Sequence, residues 1–327
     1  MDTCAVPVPV PVPVPDLYCP IAPAISPHAE MLDAHVAVWM KEAGLYSRLD
    51  QLDRYARSGF GTFAARVCPE ADLDRLMLYA EWLAFGFFYD DQFFDESDDG
   101  SAPHTAAVAA IAAISAFIPE GVPMALPRIG ETDREHRLDV LTDLIKRTST
   151  VARAEQLQRF CMQMTIWFYT YLYEPTVRAS GRSLTLSGYA ANRLYNIATA
   201  PYVALAEIVT GCPTSSEDIA SDQVRKISCL AAYQMAWCND IHSAGRETAV
   251  NPLIENLTSI LRRGGRSPQQ AMNEAARIHD STMRSYLELE ALVLPAAASG
   301  VRQYLAVLRT WMRGHYDWCR STLRYST

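Results

Sequence analysis

Three aspartates stand within a run of aromatic residues in the segment FFYDDQFFDE, residues 87–96. A carboxylate is costly to remove from water unless it is paired, so acidic side chains in apolar company indicate a bound cation. Asp91 and Asp95 lie four residues apart and share one face of a helix, with Asp90 one position earlier. Their oxygens suit Mg²⁺, which binds one or two carboxylates together with water and phosphate oxygens. The alternative is a solvated helix end that runs into the acidic loop at 96–100.

A second set of oxygen donors lies in NDIHSAGRE, residues 239–247. Asn239, Ser243 and Glu247 are spaced by four, so on a helix their amide, hydroxyl and carboxylate form one slightly spiralling stripe. The apolar segment YQMAWC precedes the stripe, which indicates that it emerges from a core helix. Such spacing also arises by chance or in capping and surface patterns. If both acidic sets are functional, we expect them to face one another across a cavity.

The composition excludes several classes of protein. The chain has 327 residues, of which 50% are hydrophobic and 20% charged, so it can bury a sizeable core. Its formal net charge of −8 makes nucleic acid an unsuitable partner, because phosphate backbones bind basic faces. The eight cysteines form no CxxC pair, and their spacing suggests neither a zinc site nor a disulfide framework. We therefore expect a reducing, cytoplasmic location and no stable membrane insertion.

Long segments of 3.6-residue periodicity must position the acidic sets. Residues 1–25 are a Pro/Val-rich arm that we expect to be disordered, and 26–327 form one all-α helical bundle domain. The helix at 73–96 is apolar nearly all round, as is typical of a buried central helix. We expect a bend near Pro201 within the segment 186–210. The remaining predicted helices are 28–45, 103–118, 132–150, 153–180, 217–247, 251–264, 267–293 and 298–323.

The ordered motifs resemble those of microbial class I terpene synthases. The segment DDQFFD, residues 90–95, is similar to the first metal motif of that family, although Asp95 stands one position later than in the shorter DDxxD form. The stripe of Asn239, Ser243 and Glu247 matches the second metal motif. Arg193 falls where the family keeps a diphosphate-sensing arginine, and Arg324 and Tyr325 match its C-terminal RY pair. The resemblance covers roughly residues 17–327 and implies a single-domain helical bundle around a central cavity.

The resemblance also implies a reaction and its residues. In the family, diphosphate leaves an allylic prenyl substrate and the resulting carbocation cyclises. Three Mg²⁺ ions held between the two motifs would stabilise the leaving diphosphate. The guanidinium groups suited to the phosphate oxygens are Arg193, Arg246 and Arg324, and Tyr325 adds a hydroxyl. Alternatively, Arg246 pairs with a surface carboxylate and the C-terminal pair is a frayed tail.

Aromatic faces would stabilise the cation without offering it a nucleophile. Phe87, one turn before the first aspartate, and Trp318, two turns before the C-terminal arginine, are the first candidates. Phe63, Tyr89, Trp167 and Trp311 are further ones. Each of these rings could instead serve only core packing.

Farnesyl diphosphate and a sesquiterpene product are the predicted chemistry, with geranylgeranyl diphosphate and a diterpene as the alternative. A chain-elongating prenyl diphosphate synthase shares the fold and metal, but NDIHSAGRE argues against it. A non-catalytic helical scaffold that docks through its proline arm leaves the polar stripes unexplained. A homodimer remains an open alternative.

Overall fold

The computed structural model describes residues 12–45, 49–92, 102–117, 132–180, 183–250 and 254–325, and no strand occurs in these ranges. The all-α fold predicted from the sequence is thereby confirmed. The helices are α1 (Ala29–Glu42), α2 (Leu49–Ala56), α3 (Phe60–Val67), α4 (Leu73–Asp90), α5 (Ala102–Ser115), α6 (Thr132–Val151), α7 (Ala154–Ala179), α8 (Leu186–Asn196), α9 (Thr199–Val209), α10 (Ser216–Ala220), α11 (Asp222–Val250), α12 (Leu257–Arg263), α13 (Pro268–Val293) and α14 (Ser299–Ser321). Short 3₁₀ turns follow at Leu294–Ala296 and Leu323–Tyr325.

Helix α4 lies at the centre of the bundle. It contacts α1, α3, α6 and α9, and it is buried over most of its length, as its lack of a polar face predicted. Trp82 in its middle is fully buried and donates a hydrogen bond from its indole N–H to Thr148 Oγ1 at 2.9 Å. The acidic end of α4 is therefore carried on a rigid element.

The predicted segment 186–210 is two helices in the structure. Helix α8 ends at Asn196 and α9 begins at Thr199, with Ala198 between them at φ 61°, in the left-handed region. Pro201 lies in the first turn of α9, where its missing N–H costs no intrahelical hydrogen bond. The bend that we predicted from Pro201 therefore exists, but the change of direction occurs at Ala198.

The N-terminal segment contacts the bundle within its described part, where Val12 already packs against the core. Leu17 and Ile21 are buried in the core, and Arg313 donates hydrogen bonds to the carbonyl oxygens of Cys19 and Ile21. This differs from the predicted disordered arm, because two apolar side chains and the arginine on α14 fix this stretch. Residues 1–11 of the arm lie outside the described residues. The predicted boundary at residue 25 between the arm and the helical domain stays a prediction.

The chain end is folded back onto the bundle. Thr322 Oγ1 donates to the Ser58 carbonyl oxygen at 2.8 Å and accepts a hydrogen bond from the Arg324 N–H at 3.1 Å. These bonds turn the chain after α14 and place the Leu323–Tyr325 turn against α11. Nowhere in the described ranges is a helix long and apolar enough to cross a membrane.

Candidate active site

A cavity lies where α4, α7, α8, α9, α11, α14 and the C-terminal turn meet. Its lining includes many polar and charged residues, among them Asp90, Arg193, Asn196, Asn239, Asp240, Ser243, Arg246, Glu247, Glu255, Asn256, Arg324 and Tyr325. The remainder is largely apolar and aromatic and includes Phe63, Leu83, Phe87, Trp167, Ile197, Tyr202, Met235 and Trp311. The structure therefore brings the two predicted oxygen-donor motifs to one cavity.

The first motif separates its aspartates. Asp90 lines the cavity and accepts a hydrogen bond from the Tyr171 hydroxyl at 3.0 Å. Asp91 is fully buried and is not part of the cavity lining. Consecutive residues of a helix project about 100° apart, which explains the different directions of these neighbours. Asp95 lies outside the described residues.

Asp91 is bound by basic groups. Arg324 donates to both of its carboxylate oxygens, at 2.9 and 2.6 Å, and Arg246 donates to Oδ1 at 2.7 Å. The Tyr55 hydroxyl donates to Oδ2 at 2.8 Å. Burial alone would raise the pKa of Asp91, but the pairing with Arg324 and Arg246 outweighs it and lowers the pKa below its ordinary value. Asp91 is thus ionised and joins the end of α4 to α11 and the chain end.

The second motif forms the predicted stripe on α11. Asn239 accepts from an Arg193 guanidinium N–H at 2.6 Å and donates to the Tyr325 hydroxyl at 2.9 Å. Glu247 accepts from Asn256 Nδ2 at 2.7 Å. Ser243 lies between them and is almost fully buried, and its Oγ has no hydrogen-bond partner within the described part of the chain.

Arg193 is held by α11 through a residue that the sequence reasoning missed. Its guanidinium donates to Asp240 Oδ1 at 2.9 Å, and it also reaches Asn196 Oδ1 at 2.9 Å, at the end of its own helix. Asp240 is fully buried and accepts further hydrogen bonds from the Tyr189 hydroxyl and the Leu257 N–H. Its position directly after Asn239 was the available signal, because an aspartate within a core helix requires a charged partner.

The predicted C-terminal pair reaches the site. Arg324 is buried, its guanidinium lies 4.7 Å from the centre of the Phe87 ring, and its Nε has no hydrogen-bond partner in the described residues. The Tyr325 hydroxyl meets Asn239 of the stripe. The frayed tail that we considered as the alternative is therefore wrong for these two residues.

Of the two leading aromatic candidates, one lines the cavity and the other lies behind the lining. Phe87 lines the cavity and stacks on Phe60 with ring centres 4.8 Å apart. Trp318 is not among the lining residues, because its ring stacks behind Phe63 at 4.5 Å and its indole N–H bonds to the Ser58 carbonyl. Trp167 and Trp311 line the cavity, whereas Tyr89 does not.

The donor set fits a hard divalent cation. Asp90 and Glu247 offer carboxylates, and Asn239 and Ser243 offer neutral oxygens, which are the ligand types that Mg²⁺ takes. The unsatisfied, buried Ser243 hydroxyl supports this fit, since an orphaned polar atom is costly unless something binds it. The same cavity is lined by three arginines and by an aromatic wall, a name we use for Phe63, Phe87, Trp167, Tyr202 and Trp311. The arrangement can therefore bind a phosphate-bearing, otherwise apolar molecule.

Comparison with known proteins points to the same chemistry. The family model "Terpene synthase family 2, C-terminal metal binding" matches residues 81–285, which is more than half of the chain. The spiroviolene synthase of Streptomyces violens is 25% identical over 311 residues, covering 94% of this chain and 84% of that protein.

A second relative and a solved structure cover nearly the whole chain. The (+)-corvol ether B/(+)-corvol ether A synthase of Kitasatospora setae is 28% identical over 304 residues, covering 93% of this chain and 92% of that protein. The crystal structure of the SVS_A2 protein from ancestral sequence reconstruction has a TM-score of 0.82 at 26% identity, covering 94% of this chain and 90% of that chain. The resemblance seen in the motifs is confirmed, and the chain belongs to terpene synthase family 2 as a class I terpene synthase.

Proposed function

We propose that this enzyme ionises farnesyl diphosphate with the help of Mg²⁺ and cyclises the allylic cation to a sesquiterpene, releasing diphosphate. The observation that carries the proposal is that one cavity is lined by oxygen donors, by arginines and by the aromatic wall. The substrate is suggested by the Kitasatospora relative, whose name describes it as cyclising (2E,6E)-farnesyl diphosphate.

We assign metal binding to Asp90 on α4 and to Asn239, Ser243 and Glu247 on α11. When bound, Mg²⁺ supplies Lewis-acid stabilisation of the charge that collects on the leaving diphosphate. Three ions remain our prediction. Asp91 and Asp95 stay predicted ligands, although Asp91 is bound by arginines in this conformation.

The arginines would bind the diphosphate oxygens. Arg193, Arg246 and Arg324 all line the cavity, and a guanidinium presents five donors in a fork that matches phosphate oxygens. Arg324 retains a buried Nε–H without a partner in the described residues, which a phosphate oxygen would satisfy. The Tyr325 hydroxyl lies beside them. This side of the cavity would therefore hold the departing group in place.

The aromatic wall would receive the hydrocarbon chain and the cation. Phe87 is placed at the boundary, with one face near Arg324 and the ring on the cavity lining. Its quadrupole would stabilise positive charge, and the buried C-terminal pair would keep water away from it. Trp318 would act through Phe63 and Phe87, whose rings it packs against.

Product analysis tests this proposal. Purified protein with Mg²⁺ is incubated separately with geranyl, farnesyl and geranylgeranyl diphosphate, and hexane extracts are analysed by gas chromatography and mass spectrometry. We expect a cyclic C15 product from farnesyl diphosphate, lost with EDTA and restored by added Mg²⁺. Products from geranylgeranyl diphosphate alone would show a diterpene cyclase. A longer diphosphate formed only with isopentenyl diphosphate would show an elongating enzyme.

The same purified protein can be used to measure the oligomeric state. A cytoplasmic location and a homodimer stay predictions, and light scattering of the purified enzyme would check the homodimer.

Replacing Asp90 with asparagine should abolish turnover, because it removes a proposed metal-binding carboxylate. The matched change Asp222→Asn, on the exposed start of α11, should leave turnover intact.

A further inference from the structure

A second group of metal-binding side chains lies between α11 and α14. Cys238 and His242 are four residues apart on α11, and His315 and Cys319 are four residues apart on α14. Residues at this spacing share one helix face, and the two helices pack against each other. We call these four residues the thiol–imidazole cluster.

The distances within the cluster suit a small tetrahedral ion. Cys319 Sγ lies 3.4 Å from His315 Nε2. One ligand atom each from Cys238, His315 and Cys319 lie within 4.8 Å of one another. Zinc bonds of about 2.3 Å to sulfur and about 2.0 Å to nitrogen place such ligand atoms about 3.5 Å apart in a tetrahedron.

Burial and charge select the kind of ion. Cys238 is completely buried, and Cys319 and His315 are nearly so. A divalent ion with two thiolates and neutral imidazole has no net charge, which is what a buried site away from water requires. Thiolate and imidazole together favour zinc over magnesium, which prefers oxygen ligands. This chemistry differs from that of the oxygen-donor stripe that begins at the next residue, Asn239.

Neighbouring aromatic rings pack against the proposed ligand His315, and a surface groove gives an ion access to the cluster. The His315 ring lies between Trp311 and Trp318, with ring centres 5.8 and 6.3 Å away, so its direction is fixed by packing. A surface groove reaches Cys319 and His242 past Arg320 and Tyr316. An ion can therefore approach the cluster from outside without crossing the catalytic cavity.

From these observations we propose that Cys238, His315 and Cys319 form a structural site for a thiolate-binding divalent metal, zinc foremost. His242 lies beside these three ligands, and its Nδ1–H donates to the Cys238 carbonyl oxygen at 2.8 Å, so it supports the cluster without being one of the proposed ligands. The site would link the last turns of α14 to α11 and so hold Arg324 and Tyr325 close to Asn239. His315 also lines the catalytic cavity, but the proposed ligands differ from the oxygen donors assigned to Mg²⁺, and the proposal does not depend on the proposed substrate.

Cobalt substitution tests the site directly. The reduced full-length protein, in excess Mg²⁺ to occupy oxygen-donor sites, is titrated with Co²⁺ while the thiolate-to-cobalt charge-transfer absorbance is followed. We expect one equivalent of Co²⁺ to give the band and one equivalent of Zn²⁺ to remove it. The band should disappear in Cys238→Ser and Cys319→Ser and persist in the control Cys229→Ser, which changes another thiol of α11. Zinc should also raise the unfolding temperature of the wild type but not of Cys319→Ser.

Two results would overturn the proposal. One is the absence of a charge-transfer band in the reduced wild type, and the other is a band that survives both serine changes at the cluster. Should either serine variant lose its helical circular dichroism, X-ray absorption of the zinc-loaded wild type decides. Two sulfur neighbours at about 2.3 Å would support the site, and a shell of oxygen and nitrogen alone would refute it.

Discussion

Asp91 shows how one residue can serve a site that it does not line. Its carboxylate is shared by Arg324 and Arg246, which come from the chain end and from α11. Both arginines also line the cavity where the diphosphate would bind. The sequence could identify the aspartate-rich motif but not which of two adjacent aspartates faces the cavity, because that depends on how α4 is rotated in the bundle.

Replacing Asp91 with asparagine should destabilise the protein. The change removes the negative charge but leaves the buried Arg324 and the largely buried Arg246, and breaking a buried ion pair on one side costs about 3–5 kcal/mol. We expect a loss of about 3 kcal/mol in the free energy of unfolding in urea. The exposed pair on α11 offers the control, since Asp222→Asn should cause no measurable change. Equal effects of both changes would show that the Asp91 network contributes little.

At the scale of elements, long amphipathic or wholly apolar helices could be predicted, whereas the short helices α2 and α3 could not. Helices α2 and α3 have eight residues each and span about two turns, which is too short to establish a 3.6-residue period in the sequence. Gly61 within α3 even argues against a helix. The structure explains it, because a Cβ there would lie 2.2 Å from the backbone of Leu32 and Asp33 on α1.

The break between α8 and α9 gives a prediction at the same scale. Ala198 adopts a left-handed conformation, which costs a non-glycine residue about 1–2 kcal/mol. Ala198→Gly should therefore leave thermal stability unchanged or raise it, since relief of strain offsets the greater freedom of glycine in the unfolded chain. Ala204→Gly, inside α9, should instead cost about 1 kcal/mol. Similar losses for both variants in calorimetry would contradict the strain at Ala198.

At the scale of the whole molecule, stability should depend on pH through Glu207. This carboxyl on α9 is buried beside Arg159 on α7, and burial outweighs the arginine and raises its pKa to about 7. Between its unfolded pKa near 4.5 and pH 7 the folded state holds a proton that the unfolded state releases. Stability is therefore greatest at the acidic end of this window and falls as pH rises through it.

Urea unfolding at pH 5 and pH 8 measures this effect. The wild type should lose about 2 kcal/mol more than Glu207→Gln between these values, because each pKa unit is worth about 1.4 kcal/mol. Glu217→Gln, at an exposed position of α10, should follow the wild type. Parallel profiles for the wild type and Glu207→Gln would mean that Glu207 titrates normally in the folded protein.

The central claim is that Asp90 and the α11 stripe hold the catalytic metal, and Ser243 tests it most directly. Turnover of farnesyl diphosphate is measured against Mg²⁺ concentration for the wild type, Ser243→Ala and Ser228→Ala. Ser228 lies on the same helix and bonds to Tyr304 instead of lining the cavity. We predict that Ser243→Ala alone raises the Mg²⁺ concentration for half-maximal turnover by about tenfold or more, since even residues that support metal ligands are worth that much in affinity. An unchanged Mg²⁺ dependence in Ser243→Ala would contradict the claim.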